Sequence, residues 1–119
     1  MFVTSQGSAH GRFTRAIQRG NLFAAEMAAR ELRRLSLEDA LALTVLLSKG
    51  QAPRYERAAV RWHGRLELET QLLTLPESQL ALAALATLQG PAAQSGRRVL
   101  AEIGRRHRLP LAAALRLRP

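Results

Sequence analysis

Residues 35–50 read LSLEDALALTVLLSKG, and residues 73–90 read LTLPESQLALAALATLQG. Each opens on a hydroxyl residue between two leucines, Ser36 or Thr74, with acids following within one turn. A hydroxyl at that place accepts a bond from an amide left unpaired at a helix start, and acids there favour the positive end of the helix dipole. Thr74 with Glu77 three residues on fits the reciprocal capping box, and Pro76 within the first turn costs little. Gly50 and Gly90 supply the stops. From Ala40 to Leu47 only Thr44 interrupts the apolar run, which is too continuous for a helix with one exposed face and predicts a helix in the middle of the core. A buried strand competes on length alone; the caps and glycine stops favour helix.

Outward from these segments the pattern stays helical. Over residues 21–35, Leu22, Ala25, Ala29 and Leu32 recur at three- and four-residue spacing, with Asn21 as the cap after the Gly20 break. A longer charged helix is predicted from Pro53 to Glu69. The two caps lie 38 residues apart and the two glycine stops 40, an offset typical of helical-hairpin repeats, although two copies also suit a chance likeness of leucine- and alanine-rich hairpins. After Pro91, Val99, Leu100 and Ile103 form a narrow apolar stripe between arginine pairs, and near the start Phe13 and Ile17 anchor a short helix. The expectation is an all-α fold: a compact bundle of five to six helices built from two similar hairpins, 21–50 and 53–90, plus a basic C-terminal helix. One domain over residues 1–119 is expected, with 1–11 and 109–119 as flexible ends.

Chemistry-bearing residues are sparse. There is no cysteine, which removes disulfides, thiolate metal sites and thiol nucleophiles. Histidines stand only at 10, 63 and 107, Asp39 is the only aspartate, and neither an HExxH motif nor a glycine-rich phosphate loop occurs. No catalytic, cofactor or metal site is therefore predicted. The apolar stretches near Leu41 and Leu80 are too short to span a bilayer, and the opening MFVTSQGSAHGRF lacks an apolar signal core, so a cytoplasmic location is expected.

Base is carried by 17 arginines against the single lysine Lys49. Residues 1–20 hold Arg12, Arg15 and Arg19 and no acid, while residues 91–119 hold seven arginines against Glu102. Acids and bases balance between them, as in a self-contained scaffold. The arginine bias suits bidentate phosphate recognition and equally suits a GC-rich genome.

Three patterns bear on function. In the helix from Pro53, Arg54, Arg57, Arg61 and Arg65 make one ridge, and Tyr55, Ala59, Trp62 and Leu66 the next. That pairing can hold phosphates and stack a base, or it is a solvated flank over a core face; a segment of zero net charge favours the flank. His63 has Glu67 four residues later, two groups without the rest of a site. Near the end, VLAEIGRRHRLPLAAALRL resembles helix-turn-helix sequences, with Ile103, Leu109 and Leu115 as core positions and Pro110 opening the second helix. It departs from them at Arg108, where the turn usually has glycine. The competing reading is a basic lid helix with a frayed tail.

The stretch GRFTRAIQRGNLFAAEMAARELRRLSLEDALAL, and RAAVRWHGRLELE followed by LTLPESQLALAALATL, resemble small, uncharacterised, all-helical proteins of actinobacteria over roughly residues 11–90. That resemblance implies an all-helical fold and brings no activity, cofactor or partner. Gly20-Asn21 followed by Ala25, Ala28 and Ala29 is also similar to tetratricopeptide-type hairpins, without their tryptophan and tyrosine landmarks.

Two functional expectations follow. One is a nucleic-acid-associated accessory protein that neutralises phosphates with Arg12, Arg15 and Arg19 and with Arg97, Arg98, Arg105, Arg106 and Arg108, joined by Arg54, Arg57, Arg61 and Arg65. The alternative is a protein-protein interaction module, an adaptor with an acidic partner or a self-associating dimer, marked by apolar surface left over once the core is filled.

Overall fold

The computed structural model describes residues 8–116, and among them there are six α-helices and no strand. They are α1 (Ala9–Arg19), α2 (Leu22–Glu31), α3 (Leu37–Leu47), α4 (Ala52–Glu69), α5 (Leu75–Ala86) and α6 (Ala93–Arg106). The chain divides after Ser36 into two compact units.

The first unit is a helical pair. Ser8 caps α1 by accepting from the Gly11 amide at 2.9 Å. Gly20 ends the helix with φ +69°, a left-handed conformation that costs glycine least. The Asn21 amide then donates back to the Ala16 carbonyl at 2.9 Å, while its side chain caps α2 by accepting from Ala24 at 3.0 Å. This tight reversal lays α2 on α1, with Phe13, Ala16, Ala25 and Ala28 buried. The second helix ends at Glu31, short of the predicted Leu35, because Leu32 turns to extended backbone.

In the second unit contacts follow chain order, α3 on α4, α4 on α5 and α5 on α6. Seven of the eleven residues of α3 are buried, and the hydroxyl of Thr44, the one polar residue inside its apolar run, donates to the Ala40 carbonyl at 2.7 Å. That bond removes the cost of burying it. The capping box of α5 is formed as its sequence predicts: Glu77 accepts from the Thr74 amide at 3.0 Å and Thr74 accepts from the Glu77 amide at 3.2 Å. Like sequences thus mark like helices rather than like hairpins. Within this unit α3 and α5 both pack on α4, whereas α2 belongs with α1.

Two glycines set how closely α6 is held. A Cβ on Gly96 would lie 2.0 Å from Thr87 Oγ1 and 2.7 Å from the Ala84 carbonyl, so the end of α5 packs on bare backbone. At Gly104 a Cβ would meet the Leu109 carbonyl at 2.9 Å and Leu111 side-chain atoms at 3.0 Å. The segment after α6 folds back there and buries Leu111 and Leu115.

Candidate nucleic-acid interface

The twelve arginines singled out above fall into three environments. The ridge on α4 loses its stacking partner. Tyr55 and Trp62 are buried; the Tyr55 hydroxyl donates to the Leu85 carbonyl at 2.6 Å and the Trp62 indole to the Leu37 carbonyl at 2.8 Å. Burial pushes the Tyr55 phenol up to about 12, so it remains a neutral donor. These rings clamp α4 to α5 and α3. Arg54, Arg57 and Arg61 are exposed along the flank, and Arg65 is drawn onto Glu69 at 2.7 Å.

Around α6 the base is largely engaged. Arg97 donates through Nη1 to the Leu115 carbonyl at 3.3 Å. Arg105 and Arg106 converge on one carboxylate, donating to Glu102 at 3.0 and 3.3 Å. The Arg105 hydrogen bond is the main cause holding the Glu102 carboxyl below its usual range. Arg98 and Arg106 share with Glu77 and Glu102 the rim of a pocket of about 260 Å³ over Leu80, Val99 and Ile103. In the lining of this pocket two bases face two acids. Arg108 adopts φ +57° and closes α6 as a glycine would, with the Leu109 amide donating to the Gly104 carbonyl at 2.8 Å. Beyond it residues 112–116 form turns rather than a recognition helix. The helix-turn-helix resemblance is therefore corrected over the described residues: Ile103 and Leu115 are core as predicted, but Leu111 takes the buried place expected of the half-buried Leu109. Arg118, in the same basic tail, lies outside the described residues.

Two of the three histidines, His63 and His107, are tied to structure. His63 Nε2 lies 2.9 Å from the Ser78 carbonyl and 3.0 Å from its hydroxyl, and that hydroxyl donates to Glu67. A carbonyl only accepts, so Nε2 carries the proton and histidine donates to serine. A general base would need the opposite polarity; the trio is a clamp between α4 and α5. His107 Nε2 lies 3.0 Å from Glu77 Oε1 and joins α6 to the capping box of α5. No group of three or more His, Cys, Asp or Glu that could hold a metal ion occurs among the described residues, and no helix there is long and apolar enough to cross a membrane.

The third environment is the first unit. Arg12, Arg15 and Arg19 line an open groove of about 440 Å³ whose other wall is α2, with Phe23, Ala24, Met27, Ala28 and Glu31. Glu31 accepts from Arg12 Nη2 at 2.6 Å and props that guanidinium across the groove. Phe23 is 75 % exposed, whereas Phe13, Tyr55 and Trp62 are buried.

No family model, curated protein or solved structure matches this chain.

The groove thus has to speak through its own residues. Sequence reasoning placed its arginine wall and missed Phe23 and Met27. The available signal was their four-residue spacing off the Leu22/Ala25/Ala29/Leu32 stripe, which leaves two large apolar side chains on a flank of α2. The first unit also carries six arginines against two glutamates in 36 residues, while the second carries twelve basic residues against seven acids. Averaged over each unit, excess base is denser in the first, although residues 91–119 alone carry seven arginines against Glu102.

Proposed function

We propose that this chain is a small cytoplasmic accessory protein that binds nucleic acid, and that its primary contact is the arginine wall of α1. The observation that carries the reading is the convergence of Arg12, Arg15 and Arg19 on one groove against a single glutamate. Phosphate binding releases counterions and needs local excess of base, which this groove has and the pocket over Leu80 lacks. Arginine's planar fork also suits phosphate oxygens better than a lysine point charge.

The test is fluorescence anisotropy of labelled oligonucleotides across a salt series. The wild type is compared with R12S/R15S/R19S and with R97S/R98S/R105S/R106S. Each arginine on a single-strand phosphate contributes about −0.7 to the slope of log K against log salt, so the first variant should flatten the slope by about 2. The second variant should alter it less. An absence of binding at low salt sinks the proposal.

A second reading, a protein-protein interaction module, is favoured by one specific feature. Around the α4–α5 connection Leu68, Leu72 and Leu75 are 85, 83 and 70 % exposed. Three leucines within eight residues give that end an apolar surface of the kind partners cover. A concentration-dependent mass that L68S/L72S abolishes would support it.

A further inference from the structure

Resting on the nucleic-acid reading, we propose that the groove of the first unit selects single strands, with an unstacked base lying on Phe23 and the flanking phosphates on the arginine wall of α1. A duplex can engage arginines, but its bases hide their faces against one another. An exposed ring beside phosphate-binding groups gains from a base only when that base is unstacked.

The geometry matches this use. Arg12, Arg15 and Arg19 recur at three and four residues, so they follow one face of α1 for about 10 Å at 1.5 Å per residue. The facing wall offers Phe23 at the start of α2 and Met27 one turn on, both exposed, and small alanines between the walls keep the groove open. A charged wall that tracks a backbone opposite an aromatic platform is the combination single-strand sites use. Of the phenylalanine, tyrosine and tryptophan residues described, Phe23 alone is exposed, and it lines the groove that Arg12, Arg15 and Arg19 also line.

An acidic partner helix fits less well. Helix-in-groove binding needs a row of apolar receptors for anchors at i, i+3 or i+4, and i+7. The groove provides only one ring and one thioether.

The deciding experiment measures binding of the full chain to a fluorescent oligodeoxythymidylate and to a duplex of equal length at one low salt concentration. Wild-type protein is compared with F23A, F23W and R12S/R15S/R19S. Because Phe23 is exposed, F23A is expected to fold, and circular dichroism verifies it. Loss of a base-aromatic stack lowers single-strand affinity by about five- to a hundred-fold. Duplex affinity should stay within about twofold, F23W should restore the single-strand preference, and the arginine variant should weaken both ligands. Single-strand binding unchanged in F23A, with the arginine variant impaired, overturns the single-strand assignment and leaves the nucleic-acid reading standing. No binding of either oligonucleotide overturns both. Polyglutamate of equal charge displacing the oligonucleotide as well as unlabelled oligodeoxythymidylate does would make charge alone the recognised feature and overturn the assignment.

Discussion

The indole Nε1–H of Trp62 donates to the carbonyl of Leu37 at 2.8 Å, across 25 residues of chain. The largest side chain of the protein thereby joins the middle of α4 to the start of α3, and its ring, 2 % exposed, fills the space between them. It is a core residue with a polar handle, the usual state of a buried tryptophan. Replacing it by phenylalanine keeps an aromatic ring but removes the donor and part of the volume. W62F should lose about 1–3 kcal/mol in urea unfolding, while oligonucleotide affinity at low salt stays as in the wild type. A loss of affinity in a variant that remains folded would return this ring to the ligand surface.

Gly96 and Gly64 are both helical, and they should respond oppositely to alanine. At Gly96 the added Cβ meets Thr87 Oγ1 and the Ala84 carbonyl, and that hydroxyl already donates to that carbonyl at 2.7 Å. Neither atom can retreat without breaking the end of α5, so G96A should destabilise by about 1–3 kcal/mol. At Gly64, in the interior of α4, nothing lies within 4 Å of the added methyl. There alanine restricts the unfolded chain and should add up to about 1 kcal/mol. Chemical denaturation of the two variants checks both signs.

Glu77 makes stability depend on acid. Its carboxyl is held below the ordinary range, first by the Thr74 amide and then by His107, with Arg106 Nη1 4.0 Å away. A depressed folded value means that its contribution is full above the unfolded carboxyl value, about 4.3, and fades as pH falls through the lower folded one. Urea midpoints between pH 7 and pH 2 should therefore decline in the wild type. In E77Q the neutral-pH midpoint should start lower and the acid decline should shrink. An identical acid decline in the two proteins would assign acid sensitivity to other carboxylates.

What could be read in advance follows the range of each interaction. Caps act within one turn, so Thr74–Glu77, Asn21 and Gly20 were legible, as was the interior place of α3 from its unbroken apolar run. The inward place of the Tyr55/Trp62 ridge of α4 was favoured by the segment's zero net charge, but the bonds that fix it were not visible, since they reach Leu85 and Leu37, 30 and 25 residues away. The pairing of α2 with α1 was hidden for the same reason, since the likeness of two caps ranks helices without saying what they pack on. In the candidate site the arginine spacing of α1 was visible and the opposite wall was not. Phe23 acquires meaning only once the turn at Gly20 brings α2 back beside α1.

Arg108 holds a place that favours glycine. With φ +57° it closes α6 in the left-handed conformation, which costs a residue with a Cβ about 1–2 kcal/mol. The turn it makes lets the Leu109 amide reach the Gly104 carbonyl at 2.8 Å and sets Leu111 against Gly104, so the buried tail depends on it. Glycine would adopt this φ without strain but loses more entropy on folding, which returns part of the gain. R108G should therefore raise stability by about 0.5–1 kcal/mol, seen as a higher urea midpoint at unchanged slope. The same variant removes one of the arginines near α6. If those arginines carried the nucleic-acid contact, its salt slope would flatten by about 0.7; with the contact on α1, R108G should be more stable and bind oligonucleotide as the wild type does.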